Sequence, residues 1–176
     1  MLVLQSQGLL GALALLVLSS QLSAAPLRIP CDRAQCQEFD IVDKRAVRTG
    51  PDGTLVWTRM RIWTGTGLFF RAGEREETGY VFCSTRRPAI ISTEKEATAA
   101  VMLAPLSDWE YDKALNNYLI YFEVCHNAGA QVTSERTALA RRLGYSVLRL
   151  NSSRPLGLTR PESIFYFPPA SHRDRP

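Results

Sequence analysis

The residues with the widest chemical range in this chain are Cys31, Cys36, Cys83, Cys125, His126 and His172. A cysteine and a histidine brought together can form an activated thiolate nucleophile. Cys83 closes an apolar run, 80–83, and His126 closes the longest helical pattern, so a Cys83–His126 arrangement is one reading. Asp108, Glu110 or Glu123 would then orient the imidazole. This reading makes the chain a small exported hydrolase. A phosphate loop built on Cys83 is excluded, because the arginine it needs six residues on is replaced by Ala89. The same cysteines do not have the close spacing of structural zinc ligands, so no metal is expected, and no cofactor motif is present. Cys31 and Cys36 lack the Cys-x2-Cys spacing of thiol oxidoreductases.

An even cysteine count in an exported chain points to disulfides. Of the possible pairings, the expected one joins Cys31 to Cys36 as a local loop and Cys83 to Cys125 as a long clasp. The long clasp should contribute roughly 3–4 kcal/mol by restricting the unfolded chain. It would also consume the thiol that the hydrolase reading requires.

A second kind of chemistry lies in Trp57, Arg59, Arg61 and Trp63. At alternate positions these fall on one side of a strand, where aromatic rings and guanidinium groups can stack on and neutralise an anionic partner. Arg86 and Arg87 would extend that patch. Single-stranded nucleic acid would fit the same pattern, but export argues against it as a partner. The competing reading is that the tryptophans cover apolar surface while the arginine stems pass over them. A third cluster, Trp109, Tyr111, Tyr118, Tyr121 and Phe122, reads as core in preference to a ligand pocket.

Export is read from residues 1–24. They are apolar and uncharged, with small residues at Ala24 and Ala25, as in a secretory signal peptide. That places the mature chain in the periplasm or outside the cell, with no stable membrane span after cleavage. The 176 residues carry 21 Lys plus Arg against 17 Asp plus Glu, a net charge of +4. Such a charge favours solubility and suits an anionic or protein partner.

The elements that must position these groups follow from periodicity. Residues 25–150 read as a single α+β domain, and 151–176 as a proline-rich tail, partly docked through the apolar run 164–167. Residues 26–39 read as an irregular arm. Residues 41–63 read as a hairpin about the turn Gly50-Pro51-Asp52-Gly53. With a three-residue loop, Val42 would face Ile62 and Asp43 would face Arg61. Val56, Thr58, Met60 and Ile62 then point to the core. Residues 64–79 read as a loop, and 80–83, 89–92 and 97–103 as short strands. Residues 107–126 read as the central helix, opened by a Ser107–Glu110 capping box and stopped at Asn127. A second helix runs from Thr133 or Ser134 to Gly144, and 145–150 reads as a last strand. The expected fold is an antiparallel sheet of about five strands with two helices packed on one face. Asn151 heads an N-glycosylation sequon.

The leading expectation is an exported non-enzymatic domain that recognises an anionic or protein partner through the Trp57–Trp63 strand face. The alternatives are the Cys83–His126 hydrolase and a structural envelope or secretion accessory protein.

Overall fold

A computed structural model describes residues 26–32, 35–66, 69–94, 97–107, 114–147 and 155–167. The signal segment, Asp108, Trp109, Glu110, Tyr111, the Asn151 sequon and His172 lie outside these residues. The fold is α+β, a seven-stranded antiparallel sheet with two helices packed on it. The strands follow chain order across the sheet: β1 (Leu27–Asp32), β2 (Gln35–Gly50), β3 (Gly53–Thr66), β4 (Phe69–Cys83), β5 (Ala89–Glu94), β6 (Ala97–Met102) and β7 (Leu156–Leu158). Helices α1 (Leu115–His126) and α2 (Val132–Arg142) lie between β6 and β7, joined by a 3-10 turn at Gly129–Gln131.

The alternation expected on β3 sets the two faces of the sheet. Val56, Met60 and Ile62 join Phe39 and Ile41 of β2 and Val81 of β4 in a core shared with both helices. From α1 this core takes Tyr118, Leu119, Tyr121, Phe122 and Val124, and from α2 it takes Val132, Leu139 and Ala140. Burial on several sides of α1 matches its nearly continuous apolar run. Helix α1 stops at Asn127, whose φ of 51° is left-handed. Lys44 of β2 donates to the Val124 carbonyl at 3.1 Å and to Asn127 Oδ1 at 2.7 Å. This sets a positive charge on the negative end of the helix dipole.

The opposite side, here called the far face, carries a second core. Leu55, Phe82, Ala89, Ile91 and Ala100 are covered there by Leu158 of β7 and by Ile164, which is fully buried. Ile164 belongs to a 3-10 segment, Pro161–Tyr166, that follows β7. Phe165 of the same segment lies edge-on to Phe82 at 5.1 Å.

Several expectations are corrected. Residues 26–39 are not an irregular arm, because β1 pairs with the start of β2. Leu27 and Ile29 pack on the helix-side core, and this burial overrides the proline signals. Residues 64–79 are not a loop, because β3 runs to Thr66 and β4 starts at Phe69. The charged run in β4 is held extended by cross-strand partners on β3. In the β2–β3 hairpin Gly50 faces Gly53, so the loop has two residues, Pro51 and Asp52. Register shifts at Ala46/Arg48 and Ile41/Asp43 then bring Phe39 opposite Ile62 and Asp40 opposite Arg61. Each bulge inserts one residue into β2 and moves the pairing by one. Gly53 has a positive φ of 153°, and a Cβ there would meet the Cys83 carbonyl oxygen at 2.4 Å. Residues 145–147 form no strand, and β7 takes the place next to β6. Helix α1 opens at Leu115 with no side-chain cap from Ala114, while Glu110 of the expected capping box lies outside the described residues. Helix α2 opens at Val132 after Gln131, which gives no side-chain cap, and is kinked at Glu135, whose φ of −134° is not helical.

Candidate functional site

Trp57, Arg59, Arg61 and Trp63 stand at alternate positions of β3 on the far face, the side that also carries Leu55. The structure does not leave them as a free basic patch. Antiparallel pairing with β4 sets Glu76 opposite Arg61 and Glu74 opposite Trp63. Arg61 Nε lies 3.1 Å from Glu74 Oε1, and its Nη2 lies 3.5 Å from Glu76 Oε1. Arg59 Nη1 lies 3.9 Å from Glu76 Oε2. The Trp63 indole donates to Glu74 Oε2 at 3.1 Å, and Trp63 is only 7% exposed. On the other flank, β2 places Glu38, Asp40 and Asp43 opposite Trp63, Arg61 and Arg59. Arg28 of β1 pairs with Glu38 at 2.8 Å. Arg45 of β2 lies over the Trp57 ring at 4.8 Å.

The result is a set of stripes, acidic on β2, basic and aromatic on β3, and acidic on β4. All of these groups sit on one sheet face because the pleat repeats every two residues. The arginines remain half-exposed, so each ion pair is solvent-screened and contributes little to stability. Arg59 and Arg61 are thus each opposed by a carboxylate within 3.9 Å. The acidic stripe on β4 is hidden in the sequence by the loop-like composition of residues 64–79, whereas on β2 an acidic residue is expected opposite Arg61 and the bulges make it Asp40 in place of Asp43. The signal was present in Glu74 and Glu76, two apart like Arg59 and Arg61.

Arg86 and Arg87 do not join this face. They follow β4 at the hairpin-turn end of the sheet, roughly 20 Å along the strands from Arg61. Arg86 is exposed. Arg87 is 2% exposed and acts as an internal clamp. It donates to the Ile164 carbonyl at 3.3 Å and to the Phe167 carbonyl, and it pairs with Asp52 Oδ2 at 3.0 Å. Its assignment as a partner-binding residue is therefore corrected, because a buried guanidinium with these partners cannot meet a surface ligand.

The cysteines are paired as Cys31–Cys36 and Cys83–Cys125, and none is free. Cys83 therefore has no thiolate to serve as a nucleophile in this state. His126 is placed otherwise as well. Its Nε2 lies 2.6 Å from the Tyr145 hydroxyl, which donates to the Tyr121 hydroxyl at 3.0 Å. Tyr121 in turn donates to the Ser84 carbonyl at 3.1 Å and accepts from the Ser84 N–H at 3.0 Å. Burial raises both phenols and lowers His126 below its ordinary value, so all three groups are neutral at pH 7. This relay ties α1, the chain after α2 and the corner after β4 beside the clasp. Such a chain of neutral, satisfied groups specifies packing. Tyr118, Tyr121 and Phe122 are core residues, as expected. Among the described residues no group of His, Cys, Asp or Glu is placed to hold a metal ion. Nor is any described helix long and apolar enough to cross a membrane.

No family model, curated protein or solved structure matches the chain.

Proposed function

We propose that this chain is an exported, disulfide-clasped binding domain that engages another protein through the far face of β2, β3 and β4. The observation that carries this reading is the set of alternating charged stripes around Trp57. Interleaved charges of both signs suit a folded protein surface, which offers both signs in a fixed pattern. They do not suit a polyanion, which needs unopposed positive charge. Trp57 is half-buried under Arg45 and supplies the amphipathic contact area common at protein interfaces. Export is supported by the apolar leader and by two disulfides, which persist in oxidising compartments.

The test is photo-crosslinking in the native host. A photoreactive amino acid is placed at Arg59 in one version of the exported protein and at Arg141 of α2 in another. A discrete protein adduct from position 59 and none from 141 is expected. Identical adducts from both positions, or none from 59, would sink the proposal. Retention on immobilised heparin should be weak and unaffected by Arg61→Ala. Strong retention lost in that variant would restore the anionic reading.

A further inference from the structure

Strand β4 is 15 residues long, yet β5 pairs with it only at Tyr80, Val81 and Phe82. Among the described residues, no strand pairs with the outer side of residues 73–79. This stretch is also regular. Its pairing with β3 runs from Thr54↔Cys83 to Thr64↔Gly73 without a register shift. The other long stretch lacking an outer partner, on β2 beyond Ile41, carries both bulges of the hairpin, and bulges spoil an edge for further pairing. Among the described residues, β4 thus offers the longest run of regularly paired backbone whose outer donors and acceptors meet no strand. Residues 74–78 are exposed on both faces of the sheet.

The geometry points to residues 73–79 of β4 as a strand-addition site for an extended segment of a protein partner with basic residues at alternate positions. This rests on the protein-binding reading above and names the partner's chemistry. The far face sets acidic β2 against basic β3 and basic β3 against acidic β4. A strand added beyond β4 continues that order if its far-face residues are Lys or Arg, set against Glu74 and Glu76. On the helix side, Arg75 and Glu77 are paired with each other at 2.6 Å and present the newcomer one charge of each sign, whereas the far face presents it two carboxylates. Backbone hydrogen bonds would supply affinity, and the two glutamates would select sequence, as in other strand-addition complexes.

A second copy of β4 is the wrong occupant. Antiparallel pairing centred on Glu76 sets that residue against its own copy. Centring on Arg75 sets Arg75 against itself and Glu74 against Glu76. Both arrangements oppose like charges.

The test uses the whole exported chain and two synthetic peptides, one alternating arginine with valine and one alternating glutamate with valine. Amide hydrogen exchange is followed along residues 73–79. Saturating arginine peptide should slow exchange there about tenfold or more, and the glutamate peptide should not. Combining Glu74→Gln with Glu76→Gln should weaken arginine-peptide binding about tenfold while leaving the circular dichroism unchanged. No slowing at 73–79, or equal slowing by both peptides, overturns the inference. Slowing that depends on protein concentration without peptide assigns the edge to a second copy and also overturns it. The chain's own Arg173 and Arg175 have the same alternate spacing. If Arg173→Gln with Arg175→Gln speeds exchange at 73–79 without peptide, the edge belongs to the tail and the proposal falls. An adduct at position 59 without protection at 73–79 would retain the face reading and reject the edge.

Discussion

Arg87 is the single side chain on which the far-face cover most depends. It is buried beside Phe82 and donates to two carbonyls of the C-terminal segment. Arg87→Ala would leave those carbonyls and part of Asp52 without a partner, and should cost about 3–5 kcal/mol. Arg87→Lys should recover only part of this, because an ammonium cannot reproduce the planar fork. Asp52 is 44% exposed, so Asp52→Ala should cost no more than about 1 kcal/mol. Urea midpoints of the three variants check this order. His126 makes a different prediction. Burial lowers its folded value below that of the unfolded chain, so in the window between the two the unfolded state binds more protons. Its contribution is intact above the ordinary histidine value near 6.5 and is lost as pH falls through that value toward the lower folded one. The urea midpoint should thus drop between pH 7.5 and 5, and His126→Gln should drop less. Equal drops in the two proteins would dismiss the histidine as the cause.

At the scale of elements, the two disulfides should be unequal. Cys83 and Cys125 are 42 residues apart and Cys31 and Cys36 only 5. Replacing the first pair by alanine should cost about 4 kcal/mol and the second about 2 kcal/mol, because a longer loop restricts the unfolded chain more. Denaturation of the two double mutants measures the difference. The clasp also joins the end of β4 to α1, and α1 together with β3 is among the elements most legible in the sequence. Val56, Met60 and Ile62 announced the inner face of β3 by strict alternation, and the apolar run through Phe122 announced α1. The outer half of β4 is hidden because Glu74, Arg75, Glu76 and Glu77 favour strands poorly; Glu74 and Glu76 are made favourable there by Arg59, Arg61 and Trp63 on the neighbouring strand, and Arg75 and Glu77 by each other. The β2 bulges leave no composition signature, so the register could not be read. Strand β7 is three residues long and depends on β6 for its existence.

For the molecule as a whole, the sheet is sandwiched unequally. Helices cover one side, and a short irregular segment covers one end of the other. That segment carries more of the stability than its length suggests. Ile164→Ala should cost about 3 kcal/mol, since the side chain is fully buried among Leu55, Phe82 and Ile91. Removing residues 156–176 should expose the same apolar surface, raise binding of a hydrophobic dye and shift the urea midpoint further than the point mutant does. Unchanged dye binding would show that the segment is not needed to cover the sheet. The part of the far face proposed to bind protein was only half visible in the sequence. Its basic residues were seen, but the acidic stripes that neutralise them depend on strand pairing, which no single sequence states.

The strand order has a bearing on how the chain reaches this state. Strands β2 to β6 each pair with the strand just before, so the sheet can zip up by successive short-range steps, which are fast. The pairing of β6 with β7 instead spans both helices. Until β7 arrives, Leu55, Phe82 and Ile91 remain wet, and an emerging chain offers a sticky surface to chaperones and proteases alike. Maturation thus ends with a slow, long-range closure, and molecules cut short before it would be the ones culled.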